Sequence, residues 1–128
     1  MEENHKESLF HLEKAFELSP QMLDVANNLA WLLAKGPEPD LERAEKLIRS
    51  AIEKRPNDIR YHDTLAGVLE ESQRWDEALV ELEKVLSVTS GNASPDLHTR
   101  LAKVYRALGN ESMAEMHEEE AEKLGPKK

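Results

Sequence analysis

The chain has 128 residues, 39% of them hydrophobic and 34% charged, with a net charge of −9 and a pI near 5.1. That length suits one compact unit and the composition excludes a wholly disordered chain, while the acidic balance makes phosphate backbones and anionic lipid poor partners and favours a basic or mixed-charge protein surface. Cysteine is absent, which excludes disulfides, thiolate metal sites and cysteine nucleophiles.

Apolar residues recur at three- and four-residue steps along almost the whole chain, and alternation of period two is nowhere sustained. Seven helical segments are expected. The first runs roughly from Glu3 to Leu18 and stops before Ser19-Pro20; the second covers about Met22 to Ala34. Gly36-Pro37-Glu38-Pro39 is a rigid turn, because proline cannot continue a helix. Asp40 caps a third helix over about Leu41 to Lys54, its side-chain oxygen accepting from first-turn amides. Arg55-Pro56-Asn57-Asp58 ends that helix. A fourth follows over about Ile59 to Glu71, and a fifth over about Trp75 to Val88. Ser90 to Pro95 is the longest loop. The sixth helix, about Pro95 to Leu108, carries proline in its tolerant first turn. Gly109-Asn110 leads into a seventh, about Glu111 to Leu124, with Gly125 to Lys128 as a tail.

The helices pair, and the pairs repeat. Pro20 and Pro56 are 36 residues apart, as are Leu29-Ala30, Leu65-Ala66 and Leu101-Ala102 in turn. A period in this range marks stacked helical hairpins. The first full pair reads Ala26-x₂-Leu29-Ala30-x₂-Leu33, then Ala44-x₃-Ile48, then Pro56. The second reads His62-x₂-Leu65-Ala66-x₂-Leu69, then Ala78-x₃-Leu82. The third reads His98-x₂-Leu101-Ala102-x₂-Tyr105, then Ala114, then Pro126. The opening helix supplies only a second half: Ser8-x₃-Leu12, Ala15, Pro20. This arrangement resembles the tetratricopeptide repeat family over nearly the whole chain. Departures are Ser90 where a proline is expected, Glu118 where an apolar residue is expected, and two-residue insertions after Lys35 and before Pro95.

The resemblance implies an all-α fold, a right-handed α-α superhelix of about seven helices in stacked antiparallel hairpins. It divides the chain into a half repeat over 1–20 and full repeats over 21–56, 57–92 and 93–126. It also implies a protein-interaction scaffold, whose concave groove is lined by the first helix of each pair and receives a peptide or partner helix. By matching positions, the groove presents Asn27, Trp31, Asp63, Gly67, Glu70, Lys103 and Arg106. Gly67 is expected to leave room beside the groove floor. Trp31 is read either as an interface anchor or as a core residue, and Trp75 as the aromatic that packs its hairpin.

The expected alternative is assembly. Leu9, Phe10 and Leu12 make the first helix apolar on more than one side, and it lacks a hairpin partner. Self-association as a homodimer, or continuation into a longer array, would cover that face. The glutamate-rich last helix reads as the polar cap of the stack.

No catalytic group set, phosphate loop or dinucleotide fingerprint is present, so no enzyme activity and no cofactor are expected. His62 and His98 occupy equivalent repeat positions explained by packing. None of the five histidines forms a His-x₃-His or HExxH pattern, so no metal is expected. Glu77 and Glu81 read as part of an ordinary solvated surface. Without a leader-like apolar segment at Met1 to Lys6, or any apolar run longer than Leu29 to Ala34, a cytoplasmic protein is expected, with neither membrane nor nucleic acid as partner.

Overall fold

A computed structural model describes residues 2–89 and 93–125; Ser90, Gly91 and Asn92 of the long loop, Pro126 of the third repeat, and Met1, Lys127 and Lys128 lie outside the described residues. Among the described residues seven helices follow one another: α1 (Glu2–Leu18), α2 (Leu23–Lys35), α3 (Leu41–Lys54), α4 (Ile59–Glu71), α5 (Trp75–Val88), α6 (Pro95–Ala107) and α7 (Glu111–Lys123). No strand occurs among the described residues.

Local chemistry sets the helix starts. Asp40, Asp58, Ser94 and Asn110 each accept a backbone N–H of the first turn with their side chains, from Arg43, Arg60, Leu97 and Met113 respectively. These caps satisfy amides that have no partner within the helix. The α4–α5 and α6–α7 turns share one design. The backbone N–H of Arg74 reaches Leu69 O and that of Asn110 reaches Tyr105 O, each closing a helix through a left-handed residue. That residue is Gly109 in the second turn and Gln73, at φ 59°, in the first.

The helices pack as antiparallel pairs α2–α3, α4–α5 and α6–α7, stacked in order, with α1 laid on α2. Ala30, Ala44, Ala66, Ala78, Ala102 and Ala114 are all buried and admit the close approaches, and Leu29, Ile48, Leu65, Leu69, Leu82 and Leu101 fill the space between. Burying each such leucine contributes roughly 1.5–3 kcal/mol. Tyr61 is the largest fully buried side chain, at 0% exposure. Trp75 packs against the same core.

Each of the last two hairpins is also locked by a polar pair 19 residues apart. His62 Nδ1 meets Glu81 Oε1 at 2.6 Å while Nε2 meets Pro56 O at 2.7 Å. In the next hairpin, His98 Nδ1 meets His117 Nδ1 at 2.9 Å. His117 lies between the rings of His98 and Tyr105, and the Tyr105 hydroxyl donates to Glu83 on α5 at 2.7 Å. Burial and the Glu83 carboxylate push the Tyr105 phenol up to about 12. Burial, and then His98, depress the His117 imidazole. Glu81 is therefore no surface carboxylate: it turns inward to His62, where a buried acceptor is needed. His117 likewise enters the core, although glutamates surround it in sequence.

Candidate peptide-binding groove

Helices α2, α4 and α6 are the first helices of the three pairs, and side chains bridge them. From α2 to α4, the buried Tyr61 hydroxyl donates to Asp24 at 2.8 Å, Arg60 pairs with Asp24 at 3.1 Å, and Lys35 pairs with Glu71 at 2.9 Å. The Tyr61 hydrogen bond, and then Arg60, hold the Asp24 carboxyl below the usual carboxylate range. From α4 to α6 the bridge is Arg100. Its guanidinium donates to Glu70 at 2.7 and 3.0 Å and to Asp63 at 2.5 Å. Burial opposes the charge on Arg100, yet the paired carboxylates outweigh it and raise its pKa. The second helices carry their own ladder. Arg43 on α3 grips Glu13 on α1 through two hydrogen bonds of 2.5 and 2.7 Å, and Arg74 pairs with Glu45 at 2.6 Å. Arg43 holds the Glu13 carboxyl below its ordinary range.

A cleft of about 590 Å³ opens beside α2, walled by Ser8 and Leu12 of α1, Asn27 and Trp31 of α2, and Arg60 and Asp63 of α4. Trp31 is 38% exposed there. Its ring leans on α4 where Gly67 has no side chain: a Cβ at that position would stand 2.7 Å from Trp31 Cζ3. The room expected beside Gly67 is thus filled by the tryptophan itself. The Lys35 ammonium lies 5.0 Å from the indole centroid, a cation–π contact. Asn27 Oδ1 is buried with no hydrogen-bond partner among the described residues.

The remaining expected groove residues are spread out. Glu70 is buried at 5% and committed, with Asp63, to Arg100. Lys103 is exposed, 5.9 Å from the Trp75 ring centroid. Arg106 turns to the last helix, where Glu111 and Glu118 bind it at 2.8 and 2.7 Å. The structure therefore brings Asn27, Trp31, Asp63 and Gly67 together around one cleft, and it sets Glu70, Lys103 and Arg106 apart from that cleft. Of the three α1 residues expected to self-associate, Leu9 and Leu12 pack against the core, while Phe10 stands out at 57% exposure. Ser8 and Leu12 as cleft walls were not legible in the repeat pattern, because they belong to the half repeat. Arg100 as the α4–α6 bridge could have been found from opposite charges lying 30 and 37 residues apart, close to the repeat period.

Among the described residues there is no cluster of three or more histidine or carboxylate side chains able to hold a metal. No helix among them is long and apolar enough to cross a membrane.

A comparison with curated protein sequences finds no match. Solved structures do match. The MamA structure designated AMB-1 superposes with a TM-score of 0.76 at 21% identity, covering 93% of this chain and 68% of that one. MamA MSR-1 gives 0.74 at 21% identity, over 94% of this chain and 67% of that one. The MamA fragment from Desulfovibrio magneticus RS-1, residue 41 to its end, gives 0.79 at 13% identity, over 94% and 66%. At these identities the likeness establishes the fold. The family model of the tetratricopeptide repeat matches residues 1–68, more than half of the chain, and the protein belongs to that family of helical protein-interaction modules.

Proposed function

We propose that the chain is a non-catalytic scaffold that holds a peptide or partner helix in the groove of α2, α4 and α6, with the cleft at Trp31 as the principal contact. The observation that carries this reading is Trp31 itself, a tryptophan 38% exposed in an open cleft and backed by Gly67. A rigid, half-exposed aromatic with a fixed backing is what interface anchors have in common. Asn27, in the same cleft, brings an amide whose buried oxygen has no hydrogen-bond partner among the described residues. Asp63 stays partly exposed and offers a carboxylate edge, while Glu70 serves the scaffold. Lys103 offers an exposed ammonium further along. Arg106 contributes only if it leaves α7. The division into a half repeat over 1–20 and full repeats over 21–56, 57–92 and 93–126 belongs to the same proposal.

The test is affinity capture from lysate of the source organism, comparing wild type with Trp31→Ala and with Lys103→Glu, each checked for unchanged helicity. A protein retained by wild type and lost by Trp31→Ala supports the groove. Equal capture by all three forms sinks it.

A second reading, self-association through α1, is favoured by the exposure of Phe10 and of Leu18, the latter at 83%. It requires a molar mass above 14.6 kDa in solution that falls with Phe10→Glu. A monomer at every concentration would rule it out.

A further inference from the structure

Positions 26, 62 and 98 lie 36 residues apart and occupy the same place on α2, α4 and α6. At 62 and 98 a histidine ring points toward the second helix of the hairpin and bonds the residue 19 positions further on; beside His62 a cleft of about 360 Å³ remains, but it is lined by Arg49, Glu53, Glu81 and Lys84, with charges of both signs. At 26 the residue is alanine, so this hairpin carries no imidazole at that place and its cleft has a more apolar wall. There a cleft of about 230 Å³ opens between α1, α2 and α3, on the side away from the groove. Phe16, Leu23 and Leu47 make it apolar, and Lys46 and Lys54 stand along its α3 edge. Both lysines are exposed, and neither has a carboxylate within ion-pair distance among the described residues. On a chain of net charge −9, two unpaired cations beside an apolar hole are a local reversal of sign.

We propose that this cleft is a second peptide site, which takes an aromatic side chain flanked by carboxylates two residues to either side in an extended segment. Size and charge both lead there. An apolar cavity of about 150 Å³ already accepts benzene, so a phenyl or indole ring enters this one. Lys46 and Lys54 stand eight residues apart on α3, about 12 Å of rise between their Cα atoms, and their long side chains can adjust that span. In an extended peptide, residues two before and two after a central one are about 13 Å apart and point to the same side as that residue. An acidic-x-aromatic-x-acidic segment therefore sets its ring over the hole and one carboxylate near each lysine.

The probe is acetyl-Ser-Glu-Ser-Trp-Ser-Glu-Ser-amide carrying a fluorophore, with binding followed by anisotropy. Wild type is expected to bind saturably, and more weakly as salt rises. Ala26→His, which builds the ring of the other two repeats into the hole, is expected to weaken binding about tenfold or more, equivalent to 1.4 kcal/mol. The surface double variant Lys46→Glu, Lys54→Glu is expected to do the same, as is alanine in place of the probe's tryptophan. Lys103→Glu, at the groove, is expected to stay within about twofold of wild type. If Ala26→His does not fold, the lysine variant decides alone. No saturable binding, or wild-type affinity in the folded variants, overturns the proposal. A wild-type mass above 14.6 kDa that reverts in the lysine variant gives the cleft to the acidic α7 of a second copy and also overturns it.

Discussion

Arg100→Ala is expected to detach the third hairpin from the rest of the stack. The Arg100 side chain is 14% exposed, Glu70 is 4% exposed and Asp63 is 46% exposed. Asp63 sits in water, so its pair with Arg100 contributes roughly 0–1 kcal/mol. Glu70 is different. Two hydrogen bonds from Arg100 are the contacts that match its charge in a buried site, and removing one partner of a buried pair costs about 3–5 kcal/mol because the other charge stays buried. A chain of this kind has about 5–15 kcal/mol in total. A loss of about 3 kcal/mol is therefore a large share, and at about 4 °C per kcal/mol it lowers Tm by about 12 °C. The loss should fall unevenly. α6 packs on α5 and reaches α4 chiefly through Arg100, so amide exchange over α6 and α7 should accelerate before that over α2 to α5. Urea melts of Arg100→Ala, Glu70→Gln and the double variant close a cycle whose coupling is expected above about 1.5 kcal/mol. A single-variant loss under about 1 kcal/mol, with additive effects in the double variant, would refute the claim that this buried charge pair joins α4 to α6.

Acid should weaken the third hairpin. His117 has its pKa lowered by burial and by His98, so the folded state resists its protonation; stability is fully present above the unfolded value near 6.5 and is lost as pH falls through the folded value. Urea midpoints should therefore drop on going below about pH 6.5, and His117→Gln should flatten that slope; a slope unchanged by the substitution removes the histidine from the account. Gly67→Ala places a methyl 2.7 Å from Trp31. Helix propensity favours the change by about 1 kcal/mol, overpacking opposes it by about 1–3 kcal/mol, and the ring is expected to swing outward, with a red-shifted Trp31 emission in a Trp75→Phe background; an unmoved emission maximum counts against the contact. Tyr61→Phe removes the 2.8 Å bond to Asp24 and should cost about 1 kcal/mol in chemical denaturation, whereas no loss would mean that water serves Asp24 equally well. Gln73→Gly relieves a left-handed residue and should raise the urea midpoint by the equivalent of about 1 kcal/mol; a lower midpoint would contradict the strain assigned to that turn.

The helices and their pairing were legible in the sequence because they rest on local chemistry. Period-3.6 patterning, Asp40 as a cap, and proline stops after α1 and α3 all act within a few residues of where they stand. The 36-residue step then made Ala30, Ala66 and Ala102 recognisable as one packing position, which is buried in all three repeats. Trp31 and Asn27 were identifiable as neighbours because one helix face carries both. Glu81 was misread as surface, since its partner His62 comes from a different helix 19 residues away.

What the sequence determined by itself is the all-helical repeat, its breaks and the identity of its core, because a stacked array needs each hairpin to meet only its neighbours. The tertiary structure decided which charges are spent inside the stack and which remain free. Asp63, Glu70 and Arg106 occupy groove-helix positions by sequence, but partners from other elements hold all three. Lys46 and Lys54 look like ordinary surface lysines until Ala26, on another helix, leaves a hole beside them. Charges and cavities depend on atoms brought close by packing, and packing at a distance is not written in the spacing of residues along one helix.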